Sequence, residues 1–374
     1  MDADPKPTRR AWLATLAGAV SPLGASLAAP DTHAGPIQRG RALAFPADHG
    51  AHAAARLEWW YLTGWLQADS TTPDASGLMG FQITFFRART GLAETLPGRL
   101  APRQLLFAHA AVTDTAGGRH RHAERLARWN GQWQQAPEAF SQAAVDRRDV
   151  RLGRWRLDAR QAVAQGPGLS LELQFDETQP LLLQGEAGWS RKGPEPTQAS
   201  HYYSLPQLAV RGTLGLDGKT VRGSGRGWLD HEWSDEILHA DAVGWDWIGM
   251  NLADGTALTA FRLRRADGSA LWAGGSVRVP GAPVRAFGPQ EVVFEPGRRW
   301  HSAATQALYP VEWTVRTPAG VHRVRTLLDA QEMDGRGSTG TVYWEGLSEL
   351  LDLQGNRVGL GYLEMTGYAG RLRL

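Results

Sequence analysis

The chain is written in short apolar runs with period-two patterning, cut by glycine, proline and aspartate, which leaves little besides sheet to fold into. Residues 57–67, 79–87, 105–114 and 149–158 are rich in aromatic or β-branched side chains and read as strands. Over residues 169–174, Leu169, Leu171 and Leu173 alternate with Ser170, Glu172 and Gln174, the mark of a half-buried strand. Asp217-Gly218, Asp254-Gly255 and Asp267-Gly268 each separate two such runs and predict tight hairpins. Long helical periodicity is missing; residues 141–149 and 300–308 are the two places where a short helix is expected. Residues 188–198 read as a long surface loop. The fold class is all-β, a barrel or sandwich arrangement.

A chain of 374 residues is comfortable for two domains. The acidic segment 234–243 is the best crossover, which predicts domains over 36–237 and 238–374. The N-terminus reads as an export signal over residues 1–28. Thr8-Arg9-Arg10-Ala11-Trp12-Leu13 resembles the twin-arginine consensus, and Ser26-Leu27-Ala28 offers small residues for cleavage before Ala29. The intervening run is broken by Pro22 and too poor in large apolar residues for a membrane anchor. The expected location is periplasmic or secreted, by the twin-arginine route. No later segment is apolar enough to span a bilayer, so an integral membrane protein is not expected.

A formal charge of +2, with basic residues scattered through strand-like runs, argues against a nucleic-acid partner. The absence of cysteine removes disulfides, thiolate nucleophiles, iron–sulfur clusters and cysteine-bound zinc. Sixteen tryptophans are the outlier, and they suit either a core or a pocket for a long apolar ligand.

The chemistry-bearing residues concentrate in residues 224–234 (SGRGWLDHEWS) and 244–249 (GWDWIG). On a strand, Arg226, Trp228, Asp230 and Glu232 share one face, and Gly227, Leu229, His231 and Trp233 the other. Either face joins an aromatic wall to titratable groups, the pattern of an apolar ligand site with a few placed polar groups. The same residues also fit an ion-pair network, with Asp230 and Glu232 on Arg226 or Arg262. Glu58 reads first as a strand residue hydrogen-bonded inside the fold.

Other motifs give less. The nearest thing to a Gly-x-Ser-x-Gly elbow, Arg336-Gly337-Ser338-Thr339-Gly340, has arginine where the first glycine belongs. His231-Glu232 lacks the second histidine of His-Glu-x-x-His, and His120-Arg121-His122 reads as a solvated basic turn. Gly223-Ser224-Gly225-Arg226-Gly227 leads into a strand, not a helix, so it is no phosphate loop. No metal or cofactor is expected.

Seven motifs in order, Glu58-Trp59-Trp60-Tyr61, His201-Tyr202-Tyr203-Ser204-Leu205-Pro206, Gly227-Trp228-Leu229-Asp230-His231-Glu232-Trp233, Gly244-Trp245-Asp246-Trp247-Ile248-Gly249, Tyr309-Pro310-Val311-Glu312-Trp313, Tyr343-Trp344-Glu345-Gly346 and Gly361-Tyr362-Leu363-Glu364-Met365-Thr366-Gly367-Tyr368, span nearly the whole chain. With them the sequence resembles the secreted AttH-like proteins related to carotenoid 1,2-hydratase, often labelled predicted secreted hydrolases. The resemblance implies two lipocalin-like β-barrel domains packed together, with a ligand cavity in or between them. His231 and Trp233 match the hydratases' His-x-Trp element. Their later tyrosine and aspartate have no match, because residues 256–264 hold neither carboxylate nor tyrosine. Asp230 or Asp246 then substitutes as the acid, or the chemistry differs.

The resulting expectation is acid–base addition of water to a C=C of an isoprenoid, polyene or lipid. Asp230 is the acid, His231 orients water, and Asp246 is the alternative acid. Trp228, Trp233, Trp245 and Trp247 are the walls, with Glu58, Trp60 and Tyr203 as further ligand contacts. The competing expectation is a non-catalytic carrier of a hydrophobic metabolite, working beside an ABC transporter permease as the resemblance suggests.

Overall fold

A computed structural model of the chain describes residues 37–69, 77–91, 102–131, 140–236 and 238–372. The export signal expected over residues 1–28 lies outside them.

Among the described residues, thirteen strands form the first sheet. They are β1 (Leu57–Ala68), β2 (Leu78–Arg89), β3 (Gln104–Asp114), β4 (Arg119–Trp129), β5 (Ser141–Ala143), β6 (Asp149–Leu152), β7 (Trp155–Asp158), β8 (Gln161–Gly166), β9 (Leu169–Asp176), β10 (Leu182–Leu183), β11 (Trp189–Arg191), β12 (Ala199–Leu216) and β13 (Lys219–Ser234). Their order is β4-β3-β2-β1-β13-β12-β9-β8-β7-β6-β5, with β10 and β11 paired to β12. The sheet curls until β4 lies against β5, β6, β8 and β9, a nearly closed barrel.

The second sheet holds β14 (Ala242–Leu252), β15 (Ala257–Arg265), β16 (Ala270–Arg278), β17 (Arg285–Phe287), β18 (Val293–Pro296), β21 (Glu312–Thr317), β22 (Gly320–Thr326), β23 (Glu332–Gly335), β24 (Thr341–Leu351) and β25 (Arg357–Thr366). β19 (Arg299–His301) and β20 (Leu308–Pro310) make a separate ribbon. The protein is all-β, two lipocalin-like barrels packed together.

Strand alternation sorts the apolar side chains into three cores. Trp60, Leu62, Phe81, Ile83, Leu229 and Trp233 fill the first barrel. Ile248, Met250, Trp313, Trp344 and Leu363 fill the second. Tyr61, Trp65, Trp228, Trp247, Phe261 and Tyr362 form a third cluster to which both barrels contribute. β1, β13, β14 and β25 therefore bury both faces, one into their own barrel and one into the junction. The predicted Asp217-Gly218 turn is present. Both residues have positive φ (48° and 82°), as a two-residue hairpin requires.

Three local expectations are overturned. Residues 141–149 and 300–308 hold short strands, not helices, because sheet partners supply their backbone hydrogen bonds. Residues 188–198 are not simply a surface loop. β11 pairs with β12 there, and Lys192 just beyond it is buried. His120 and His122 sit on β4, where Thr113 Oγ1 is 2.9 Å from His120 Nδ1 and the Asp334 amide donates to His122 at 3.2 Å.

Candidate functional site between the barrels

β13 pairs with β1 on one side and β12 on the other, so the carboxylate–histidine–tryptophan run lies at the centre of the first sheet. Alternation divides it as the sequence implies. Asp230 and Glu232 face the second barrel across a cavity of about 390 Å³. The walls of this cavity include Trp59, Tyr61, Phe86 and Phe107 from the first barrel, and Trp245, Trp247, Phe261 and Tyr343 from the second. Gly249 shapes one of them: a Cβ there would lie 2.3 Å from the Trp247 ring and 3.2 Å from that of Trp228.

The polar lining of the cavity includes the acids Glu58, Asp230, Glu232, Glu345 and Glu364. Asp230 accepts from Tyr202 Oη at 2.7 Å, Ser204 Oγ at 2.5 Å and Trp228 Nε1 at 2.7 Å. Burial nevertheless outweighs these donors and pushes its pKa up to about 7. Glu345 and Glu364 are direct cross-strand partners on β24 and β25 and line the same cavity. Burial, then the neighbouring Glu364, holds the Glu345 carboxyl well above the usual range. Burial, with Asp230 and Glu232 nearby, lifts Glu364 to about 7. Lys192 also lines the cavity, 2.9 Å from Glu232, 4.5 Å from the Tyr202 ring and 4.3 Å from the Phe261 ring.

His231 points the other way. It lies inside the first barrel, where its Nε2 donates to Glu58 at 2.9 Å and its Nδ1 is 3.0 Å from Tyr203 Oη. Glu58 also accepts from His52 Nδ1 and from Arg87 Nε, both at 2.7 Å. Trp60 stacks on His231 and Trp233 on His52, with centroids 4.9 and 3.6 Å apart. Burial brings the His231 pKa down to about 4. Asp246 enters a third compartment, the interior of the second barrel, taking Arg262 Nε at 2.8 Å and Tyr368 Oη at 2.9 Å.

Asp230, His231 and Asp246 therefore do not converge. Period two places Asp230 and His231 on opposite sides of one sheet, and Asp246 opposite Trp245 and Trp247 on β14. Of the ligand contacts expected from sequence, Trp245 and Trp247 line the cavity and Trp228 backs it through Asp230. Glu58 also lines the cavity, while its carboxylate, together with Trp60, Tyr203 and Trp233, belongs to the packed network inside the first barrel. The acids that sequence reasoning passed over are Glu345 and Glu364. Both stand in quoted motifs and alternate with core residues Trp344 and Leu363, which was the available signal.

Two other constellations bring reactive side chains together. His52, Glu58 and His231 place ligand atoms within 4.8 Å of one another, close enough for a metal ion. Glu58 there already serves both imidazoles and Arg87, which makes the three a hydrogen-bonded hub. Ser338 Oγ lies 2.7 Å from His109 Nε2 and bonds Glu124, with Tyr343 Oη 2.7 Å from His109 Nδ1. Burial lowers His109 to about 3, a weak base for activating a serine. The contact ties the second barrel's loop to the first barrel's wall.

With this geometry in view, the AttH-like family model matches residues 36–368. The chain belongs to the AttH-like family. A Nitrosomonas europaea protein assigned as an AttH is 41% identical, covering 90% of this chain and 99% of that one with a TM-score of 0.80. Kievitone hydratase from Nectria haematococca is 13% identical over 91% of this AttH-like chain and 95% of its own, with a TM-score of 0.62; that likeness concerns the fold. No curated protein matches the sequence.

Proposed function

We propose that this AttH-like protein binds a neutral, apolar, unsaturated ligand between its barrels and adds water across a C=C by acid–base catalysis. One observation carries the reading: an aromatic-walled cavity in which burial raises the carboxyls of Asp230, Glu345 and Glu364 above the usual range. Protonating an alkene needs a strong donor kept away from bulk water, and a buried neutral carboxyl is one. The cation that forms is stabilised by indole faces such as Trp245 and Trp247. An isoprenoid is the ligand class that suits these walls, and the hydratase among the fold relatives fits the same chemistry.

The test uses two probes. All-trans-retinol should quench tryptophan emission with saturable, one-to-one binding. Farnesol, a neutral acyclic isoprenoid alcohol, should gain labelled oxygen from heavy-oxygen water, read by mass spectrometry. Saturable binding of both without label uptake would instead favour a carrier, and absence of binding would sink both readings.

Export by the twin-arginine route is part of the proposal. Replacing Arg9 and Arg10 together by lysine should strand the protein in the cytoplasmic fraction of its host. Unchanged fractionation would remove that element.

A further inference from the structure

The acids of the cavity are not equivalent in their bonding. Asp230 spends its oxygens on three protein donors, two of them on Oδ1. Glu232 is engaged by Lys192. Glu345 differs: it pairs across the cavity with the Tyr61 hydroxyl of the first barrel, and neither Glu345 Oε1 nor Tyr61 Oη has a closer partner among the described residues. Glu345 is 3% exposed and Tyr61 7%, and both line the cavity. A carboxyl and a hydroxyl that meet at the edge of an apolar cavity keep spare lone pairs, which suit a water or a ligand group held between them. Glu364 stands directly across the strand pair from Glu345, with Cβ atoms about 5 Å apart in such a ladder. Two carboxyls at that spacing in an apolar wall do not both ionise, and one proton serves the pair.

Resting on the hydration reading above, we propose that Glu345 and Glu364 are the acid–base pair of the cavity, with the Tyr61 hydroxyl holding the reacting water. Asp230 then acts as a positioning residue that fixes Tyr202 and Trp228.

The step balances with water as the sole co-reactant. The Glu345 carboxyl gives its proton to one alkene carbon, so an O–H bond breaks and a C–H bond forms. Water oxygen bonds the other carbon and gives its proton to the Glu364 carboxylate. Transfer of a proton from Glu364 to Glu345 restores the start. The charged and titratable groups that share the cavity with the pair are Asp230 and Glu232 from β13, Lys192 beyond β11, Tyr202 from β12, Glu58 and Tyr61 from β1, Arg87 from β2, His109 from β3 and Tyr343 from β24, with Tyr362 from β25 beside them. Of the cations, Lys192 is matched by Glu232 and Arg87 by Glu58.

The experiment measures deuterium uptake into farnesol in heavy water, alongside retinol binding, for wild type, Glu345→Gln, Glu364→Gln and Asp230→Asn. Glu345→Gln should lose roughly 10²–10⁴-fold in uptake while binding retinol as wild type does. Asp230→Asn should keep its rate within about tenfold, because it removes a positioning group and not the donor. Uptake by Glu345→Gln within about threefold of wild type overturns the assignment. No uptake by wild type is a failure of the hydration reading itself.

A second readout follows the shared proton without turnover. A folded-state pKa above the unfolded one makes a carboxyl's contribution complete below the unfolded pKa and lost as pH rises through the folded pKa. Wild-type melting temperature should therefore fall between about pH 5 and 8, and Glu364→Gln should flatten that fall. Parallel slopes in the two proteins would overturn the shared proton.

Discussion

Arg87→Met should lower unfolding free energy by about 3–5 kcal/mol, the cost of leaving a buried charge without its partner. Both side chains of the Arg87–Glu58 pair are fully buried. Arg87 also donates from Nη1 to Gln104 at 2.7 Å and from Nη2 to the His52 and Ala55 carbonyls at 2.9 and 2.8 Å. Methionine fills part of the volume and satisfies none of these acceptors. Burial alone would raise the Glu58 carboxyl; Arg87 and then His52 outweigh it and hold the group well below the usual range. That sign sets the pH dependence. The stability is present above the unfolded pKa and is lost as pH falls through the folded one, so wild type should lose it in acid below about pH 4. Urea unfolding at neutral and acid pH measures both effects. Adding Glu58→Gln to Arg87→Met should recover part of the loss, since the orphan charge is then gone. A neutral single variant would show that the hub contributes little.

Asp246→Ala should be comparably damaging, about 3–5 kcal/mol, and for a structural reason. Asp246 is fully buried, and its loss strands the Arg262 guanidinium 4.9 Å from the Trp313 ring. The Tyr368 hydroxyl loses its acceptor as well. The folded fraction should still bind retinol with unchanged affinity, because Asp246 faces away from the cavity. Lost turnover with an unchanged melting temperature would contradict this and restore Asp246 as an acid.

The sequence and the structure agree on which face of β13 each residue from Arg226 to Trp233 takes. Period two alone separates Asp230 and Glu232 from His231 and Trp233. What the pattern could not say is which compartment each face enters. A strand polar on one side shows its orientation by its solvent face, whereas residues 227–234 are buried on both. Proximity along the chain thus made one site of residues that the sheet assigns to separate interiors. The hairpins were legible because Asp-Gly encodes its own backbone geometry. The short strands mistaken for helices were not, because three-residue strands such as β5 exist by virtue of a partner strand, not local propensity. Glu345 and Glu364 were legible as motif residues, but their pairing needed the register of β24 on β25. Lys192 was hidden in a stretch whose glycine and proline content resembles any exposed loop.

The cavity has no owner. Its walls are supplied half by one barrel and half by the other, and the barrels are joined by bonds such as Asn251 Nδ2 to the Gly227 carbonyl at 3.0 Å and Ser276 Oγ to Gln184 Oε1 at 2.7 Å. Occupancy and docking are therefore a single equilibrium. A bound molecule acts as mortar between the halves, adding stability in proportion to its concentration over its dissociation constant. The reverse also holds: a substitution that loosens a distant seam weakens binding without touching the guest.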